Sequence, residues 1–176
     1  MTPAPEDGAP QAKPPVISVV VPIKGHPVLL DDALASAHRE IATGAIQRVI
    51  AVDDGCAYAE TRESLADWQA VLGDRMLVLH CTNGGLSAAR NRGIAAALRR
   101  DPDLDAIFLL DADNMLAPGA GAAMRRLLDS APQADWFYPD FDFFGQDGHY
   151  ITERAYDLLF HACLLYTSPS PRDKRQ

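Results

Sequence analysis

Apolar residues fall along this chain in two kinds of run that take turns. The first kind is short and continuous. Val16 to Pro22 is one such run, β-branched and closed by a proline whose missing N–H ends a ladder. Val49 to Val52 is a second and runs into Asp53 and Asp54; Met76 to Cys81 is a third, and Ala106 to Leu110 a fourth. The second kind repeats every three or four residues, the period of a helix with one buried face. Leu30, Ala33, Leu34, Ala37 and Ile41 form such a stripe, stopped by Gly44, and Leu65, Trp68 and Leu72 form another, stopped at Gly73. A third helix begins near Ser87 with Ile94, Ala97 and Leu98 inward, and Arg99 and Arg100 stand at its C-terminal end, where cations suit the macrodipole. Ala120, Ala123, Met124, Leu127 and Leu128 mark a fourth. Strand and helix alternate four times, which predicts an α/β chain with a mainly parallel sheet flanked by helices. Alternating aromatics from Trp136 to Phe144 predict a fifth strand or hairpin, and no internal repeat is present.

The run Phe108, Leu109, Leu110 stops at Asp111, Ala112, Asp113 and Asn114. A continuous apolar run reads as a buried parallel strand, so its first polar residues fall at the carboxyl end of the sheet, where open α/β folds bind ligands. Two carboxylates in a turn there offer hard oxygen ligands to one divalent cation. The alternative is an Asx turn capping the helix that follows Pro118. Upstream, the segment from Asn83, Gly84 and Gly85 through Arg90 to Gly93 is a glycine turn leading into a helix with a guanidinium near its start. That is an anion site, because a helix N-terminus presents free amides. Arg90 is either a surface cation paired with an acid or a phosphate ligand. Asp53 and Asp54 precede Gly55 and either cap the helix starting near Glu60 or accept a hydrogen bond from a base or ribose hydroxyl. The glycine spacing is not GxGxxG.

Composition narrows the partners. A length of 176 residues suits one domain, and the apolar share of 48% with a mean hydropathy of -0.10 describes a globular chain. No apolar run approaches the roughly 20 residues of a membrane span. Residues 1–15 lack the basic start and apolar centre of a signal peptide, so a disordered N-terminal segment and a cytoplasmic location are expected. A net charge of -8 argues against nucleic acid as a partner. Cys56, Cys81 and Cys163 have no metal-like spacing and predict buried free thiols rather than a disulfide framework. The five histidines form no ligand cluster, and the aromatics of 136–144 read as core and sheet face. From 164 to 176 a Ser/Pro stretch with a basic end has no means of packing and looks like translated sequencing-adaptor DNA. The domain is therefore expected over 16–163, followed by a non-native tail, with the natural protein continuing beyond.

Taken in order, Ile17 to Pro22, Val52 to Gly55, Asn83 to Gly93 and Asp111, Ala112, Asp113 resemble the inverting family 2 glycosyltransferases of GT-A fold, over about residues 16–150. The resemblance implies a Rossmann-like nucleotide-diphospho-sugar transferase half, incomplete at its C-terminus. It also implies a nucleotide-sugar donor, usually a UDP-sugar, held with Mn2+ or Mg2+ and passed to a glycan, lipid or small-molecule acceptor. Carried over residue by residue, Pro22 and its neighbours, Lys24 among them, would line the base pocket, and Asp54 or Asp53 would contact uracil. Arg90 would approach the nucleotide or its diphosphate, with Asn83, Gly84 and Ala112 in the same donor-binding set. Asp111 would meet the ribose and metal shell, and Asp113 the cation itself. The family's general base lies well downstream, in a Glu/Asp-Asp type motif after a Gly-Gly segment that does not occur here beyond Asp113, so the chain is expected to bind donor without transferring it. Lys24 and Gly25 stand where the family often has an aromatic and an asparagine, and Cys56 where a serine is usual. Other readings are a non-catalytic nucleotide-sugar-binding module and a sugar-nucleotide pyrophosphorylase, though Gly25, His26 and Pro27 are not the glycine- and arginine-rich loop of the latter.

Overall fold

Ile17–Ile23 form β1 and are buried along their whole length, as a continuous apolar strand covered on both faces must be. The computed structural model describes residues 14–25, 27–137, 139, 141–143 and 151–153. In it β1 is joined by β2 (Arg48–Asp54), β3 (Met76–Cys81) and β4 (Ala106–Leu109), and by helices α1 (Pro27–Ala42), α2 (Ala59–Leu72), α3 (Leu86–Arg100) and α4 (Ala120–Ser130). The strands form a parallel sheet in the order β3-β2-β1-β4.

The period of two along the strands sorts the core into two layers. Val19, Val21 and Ile23 of β1 join Val49 and Ala51 of β2 against Leu30, Ala33, Leu34 and Ala37 of α1 and Leu65 of α2. Val20, Ile50 and Val52 face the other way, against Ala89, Ala96 and Ala97 of α3. Gly93 lets α3 lie close on that face, since a Cβ there would come within 2.3 Å of Val20 Cγ1. Ala120 and Met124 of α4 pack on the α1 side.

Strand β1 runs one residue past the expected stop at Pro22. The reason lies in which neighbour each residue faces. Gln47 donates to the Ile17 carbonyl on the β2 side, whereas Asp105 and Leu110 donate to the Val16 and Val20 carbonyls on the β4 side. Pro22, two residues beyond Val20, therefore turns its missing N–H toward β4, which has already ended at Leu109. The register with β2 continues to Ile23 opposite Asp53. Because β1 leads to β2 on one side and lies beside β4 on the other, the carboxyl edge between β1 and β4 is the switch point where ligands enter such sheets.

The chain divides into two compact units, 1–132 and 133–176. In the second, Phe141–Phe143 (β5) and Ile151–Glu153 (β6) pair antiparallel; β5 falls within the stretch where a strand or hairpin is expected, and its partner β6 lies beyond it. Trp136 is 74% exposed rather than core, since pairing begins only at Phe141. Cys56 is a buried free thiol and Cys81 a half-buried one. Among the described residues no helix is long and apolar enough to cross a membrane. Residues 1–13 of the expected disordered start, the expected non-native tail over 164–176, Cys163, His26, His149 and His161 lie outside the described residues.

Candidate functional site

Strand β2 ends in Asp53 and Asp54, which point to opposite faces and are each only 2% exposed. Asp54 faces α3. Its Oδ2 accepts from the Gly85 amide at 2.7 Å, and its Oδ1 from the Gly84 amide at 2.8 Å and from Arg92 Nη1 at 3.2 Å. Gly85 sits at φ 86°, a conformation that a residue with a side chain resists, and so turns the chain into α3. Asn83 Oδ1 accepts from the same amide at 3.3 Å, an Asx turn. Gly55 is required by space as well as by φ, because a Cβ there would meet the Asn83 amide nitrogen at 2.8 Å. Burial pushes the Asp54 carboxyl upward. The Gly84 and Gly85 amides, then the charges of Arg92 and Lys24, outweigh this and hold it below its ordinary value of 3.8.

Asp53 serves the other face. Its Oδ1 accepts from the Cys56 amide at 2.8 Å and its Oδ2 lies 3.0 Å from His80 Nδ1 on β3. The Cys56 thiol accepts from the Gly25 amide at 3.1 Å and bonds Thr61 Oγ1 at 3.3 Å, which joins the ends of β1 and β2 to the first turn of α2. Burial raises this thiol, but its hydrogen bonds with Thr61, Tyr58 and Gly25 prevail and bring it below its ordinary value. Helix α2 itself starts after Tyr58 with no side-chain cap. The alternative that Asp53 or Asp54 caps it therefore fails, since both carboxylates are directed to the strand ends and to the turn before α3.

The second acidic pair is built differently. Leu110 is buried and donates to the Val20 carbonyl at 3.0 Å, and the Asn114 amide closes a turn on the Asp111 carbonyl at 3.0 Å. Ala112 packs against the core beneath this turn. Asp111 is part-exposed and accepts at Oδ1 from Arg90 Nη2 at 2.6 Å. Asp113 is exposed, and no described residue hydrogen-bonds to it. Arg90 is thus paired with an acid, as its surface-cation reading anticipates, while its buried Nε has no partner. The next helix is not capped from within this turn. Its first amides, those of Gly119 and Gly121, instead donate to the buried Glu40 of α1 at 2.8 and 2.9 Å.

The expected site residues therefore gather along the carboxyl edge: Pro22 buried in β1, Lys24 exposed just after it, Asp53 and Asp54 ending β2, Asn83 and Gly84 before α3, Arg90 on it, and Asp111, Ala112 and Asp113 after β4. Two residues were missed. Arg92 reaches back from α3 to Asp54 and to the Thr82 carbonyl, a reach that follows from the N-terminal lean of long side chains on helices. Glu40 carries a clearer signal, a carboxylate continuing the apolar stripe of α1. Among the described residues no group of three or more His, Cys, Asp or Glu side chains could hold a metal. Asp111 Oδ2 and Asp113 are two hard oxygen donors on one turn, a set that suits a Mg2+ or Mn2+ ion held mainly by phosphate and water.

Among curated proteins, none matches this chain. Of solved structures, S. aureus TarS 1-349 superposes with a TM-score of 0.56 at 19% identity, covering 66% of this chain and 33% of that one. A second S. aureus TarS structure gives 0.55 at 19%, covering 66% and 20%. This chain thus spans a third or less of the solved chains, and at that identity the likeness is one of fold. The family model of glycosyl transferase family 2 matches residues 18–161, and the chain belongs to that family.

Proposed function

We propose that this chain holds the nucleotide-diphosphate-sugar donor, a UDP-sugar, of a metal-dependent inverting glycosyltransferase, across the carboxyl edge between β1 and β4. The observation that carries this reading is the Asp111–Asp113 turn, which sits at the switch point of the sheet with Asp113 free of described partners. Asp113 and the open Oδ2 of Asp111 would hold the cation. When bound, a divalent ion there supplies charge neutralisation for the departing diphosphate. Arg90, already against Asp111, orients that carboxylate and stands ready to meet a phosphate oxygen. Each oxygen of Asp53 accepts one bond, which leaves a lone pair on each for a donor such as the N3–H of uracil. Asp54 Oδ1 is filled by two donors, so its spare capacity lies on Oδ2. Lys24, exposed after β1, faces the same edge.

Titration calorimetry with UDP and ADP, each with Mn2+ and then with chelator, tests the reading. UDP should bind more tightly than ADP and should weaken when the metal is removed. Equal binding of the two nucleotides, unaffected by chelator, contradicts it.

A further inference from the structure

The acidic turn is also gripped from the α1 side. We propose that Ser36, Arg39 and Glu40 are positioning residues for the cation-binding carboxylates Asp111 and Asp113, an inference that rests on the reading of those two residues given above. Spaced at i, i+3 and i+4, the three share one face of α1. Ser36 Oγ donates to the Ala33 carbonyl at 2.6 Å, which aims its lone pair at the Leu116 amide, 2.9 Å away. Arg39 Nη2 donates to the Leu116 carbonyl at 3.3 Å. Glu40, 2% exposed, takes the Gly119 amide on Oε1 and the Gly121 amide on Oε2.

A buried carboxylate is costly unless it is hydrogen-bonded, and here two amides and the positive start of α4 compensate it. The fit is close. A Cβ on Gly121 would lie 2.7 Å from Ala45 Cβ and 3.1 Å from Glu40 Oε2, and Gly119 adopts φ 82° to enter the helix. Only residues 111–115 separate Leu110, bonded to β1, from Leu116, bonded to α1, and both leucines are buried. The turn is therefore a short span between two fixed posts, with Arg90 bracing it from α3. Ala120 and Met124 pack on the core and Arg125 donates to the Gly44 and Ala45 carbonyls, which holds α4, but none of these contacts touches residues 116–119, where the turn enters the helix. The polar clamp does, and a ligating carboxylate must be placed to within about 0.5 Å.

The test compares Glu40→Gln and Ser36→Ala with Asp31→Ala, a control that severs α1 from Ser64 and Trp68 of α2 without touching the clamp. The readout is the ratio of UDP affinities with and without Mn2+, beside the melting temperature. Glu40→Gln presents an amide N–H to an amide N–H and should cut the Mn2+ enhancement roughly tenfold, the scale on which outer-shell partners act. Ser36→Ala should cut it less, and metal-free UDP binding should hold in both. Asp31→Ala should lower the melting temperature and keep the full enhancement. If both clamp variants retain the enhancement of the wild type, or lose it only in step with Asp31→Ala, the positioning role is overturned. A wild type with no Mn2+ enhancement overturns the cation reading, and the inference with it.

Discussion

Two acidic pairs close two strands of one sheet, on either side of β1, and they meet opposite fates. Asp53 and Asp54 are each 2% exposed, and every one of their oxygens accepts a hydrogen bond from the protein. The side chain of Asp111 is 40% exposed with one oxygen engaged, and Asp113 is exposed with none. What differs is the backbone that follows. The turn after β2 brings the Cys56 amide to Asp53, and the turn after β3 brings the Gly84 and Gly85 amides to Asp54. After β4, Ser36 and Arg39 draw Leu116 into the core on the α1 side, and the neighbouring strand offers Pro22, which has no N–H to give. A carboxylate at a strand end is buried and held in place where amides are brought to it, and its side chain stays exposed where they are led away.

The largest effect that could break this comparison comes from Asp54→Ala. It removes the buried carboxylate that accepts from the Gly84 and Gly85 amides and from Arg92, so urea unfolding should show a loss of about 3 kcal/mol for these charge-assisted bonds, and a loss below about 0.5 kcal/mol would make the two pairs equivalent. The same residue predicts a pH signature. Its folded pKa lies below its ordinary value, so the stability it adds is present above about pH 4 and is lost as pH falls through the folded value. The stability gap between wild type and Asp54→Asn should be wide at pH 7 and narrow at pH 3. A gap that widens in acid contradicts the assignment.

Gly93→Ala tests the α3 face on which Asp54 rests. With a Cβ 2.3 Å from Val20 Cγ1, strand or helix must move, at a cost of about 2 kcal/mol in the same assay. Arg90→Ala should cost less than about 1 kcal/mol, because its pair with Asp111 is part-exposed. It should weaken UDP binding in Mn2+ more than it lowers the unfolding midpoint; the reverse would make Arg90 a structural residue like Arg92.

Most of the fold was legible because continuous and three-to-four-residue apolar spacing report two different kinds of burial. The four strands of the parallel sheet fell within two residues of their observed ends, whereas the strand expected from Trp136 begins only at Phe141. Helix α1 starts three residues before Leu30, at a proline that suits a first helical turn. The strand order was not legible, since periodicity says which residues are buried and not which strand lies beside which. The placing of the acids at the carboxyl edge was legible from where each apolar run stopped. Their division of labour was not, because the partners of Asp54 lie 30 and 31 residues away and depend on α3 crossing the sheet. Glu40 could have been singled out, since an acid on the stripe of Leu30, Ala33, Leu34 and Ala37 must find donors inside the protein.

The most direct measurement is a pair of calorimetric UDP titrations, with and without Mn2+, on the wild type and on Asp113→Asn. The account predicts that Mn2+ tightens UDP binding by the wild type, that Asp113→Asn loses that gain, and that the unfolding free energies of the two agree to within about 0.5 kcal/mol. Equal Mn2+-dependent affinity in two equally folded proteins would contradict it.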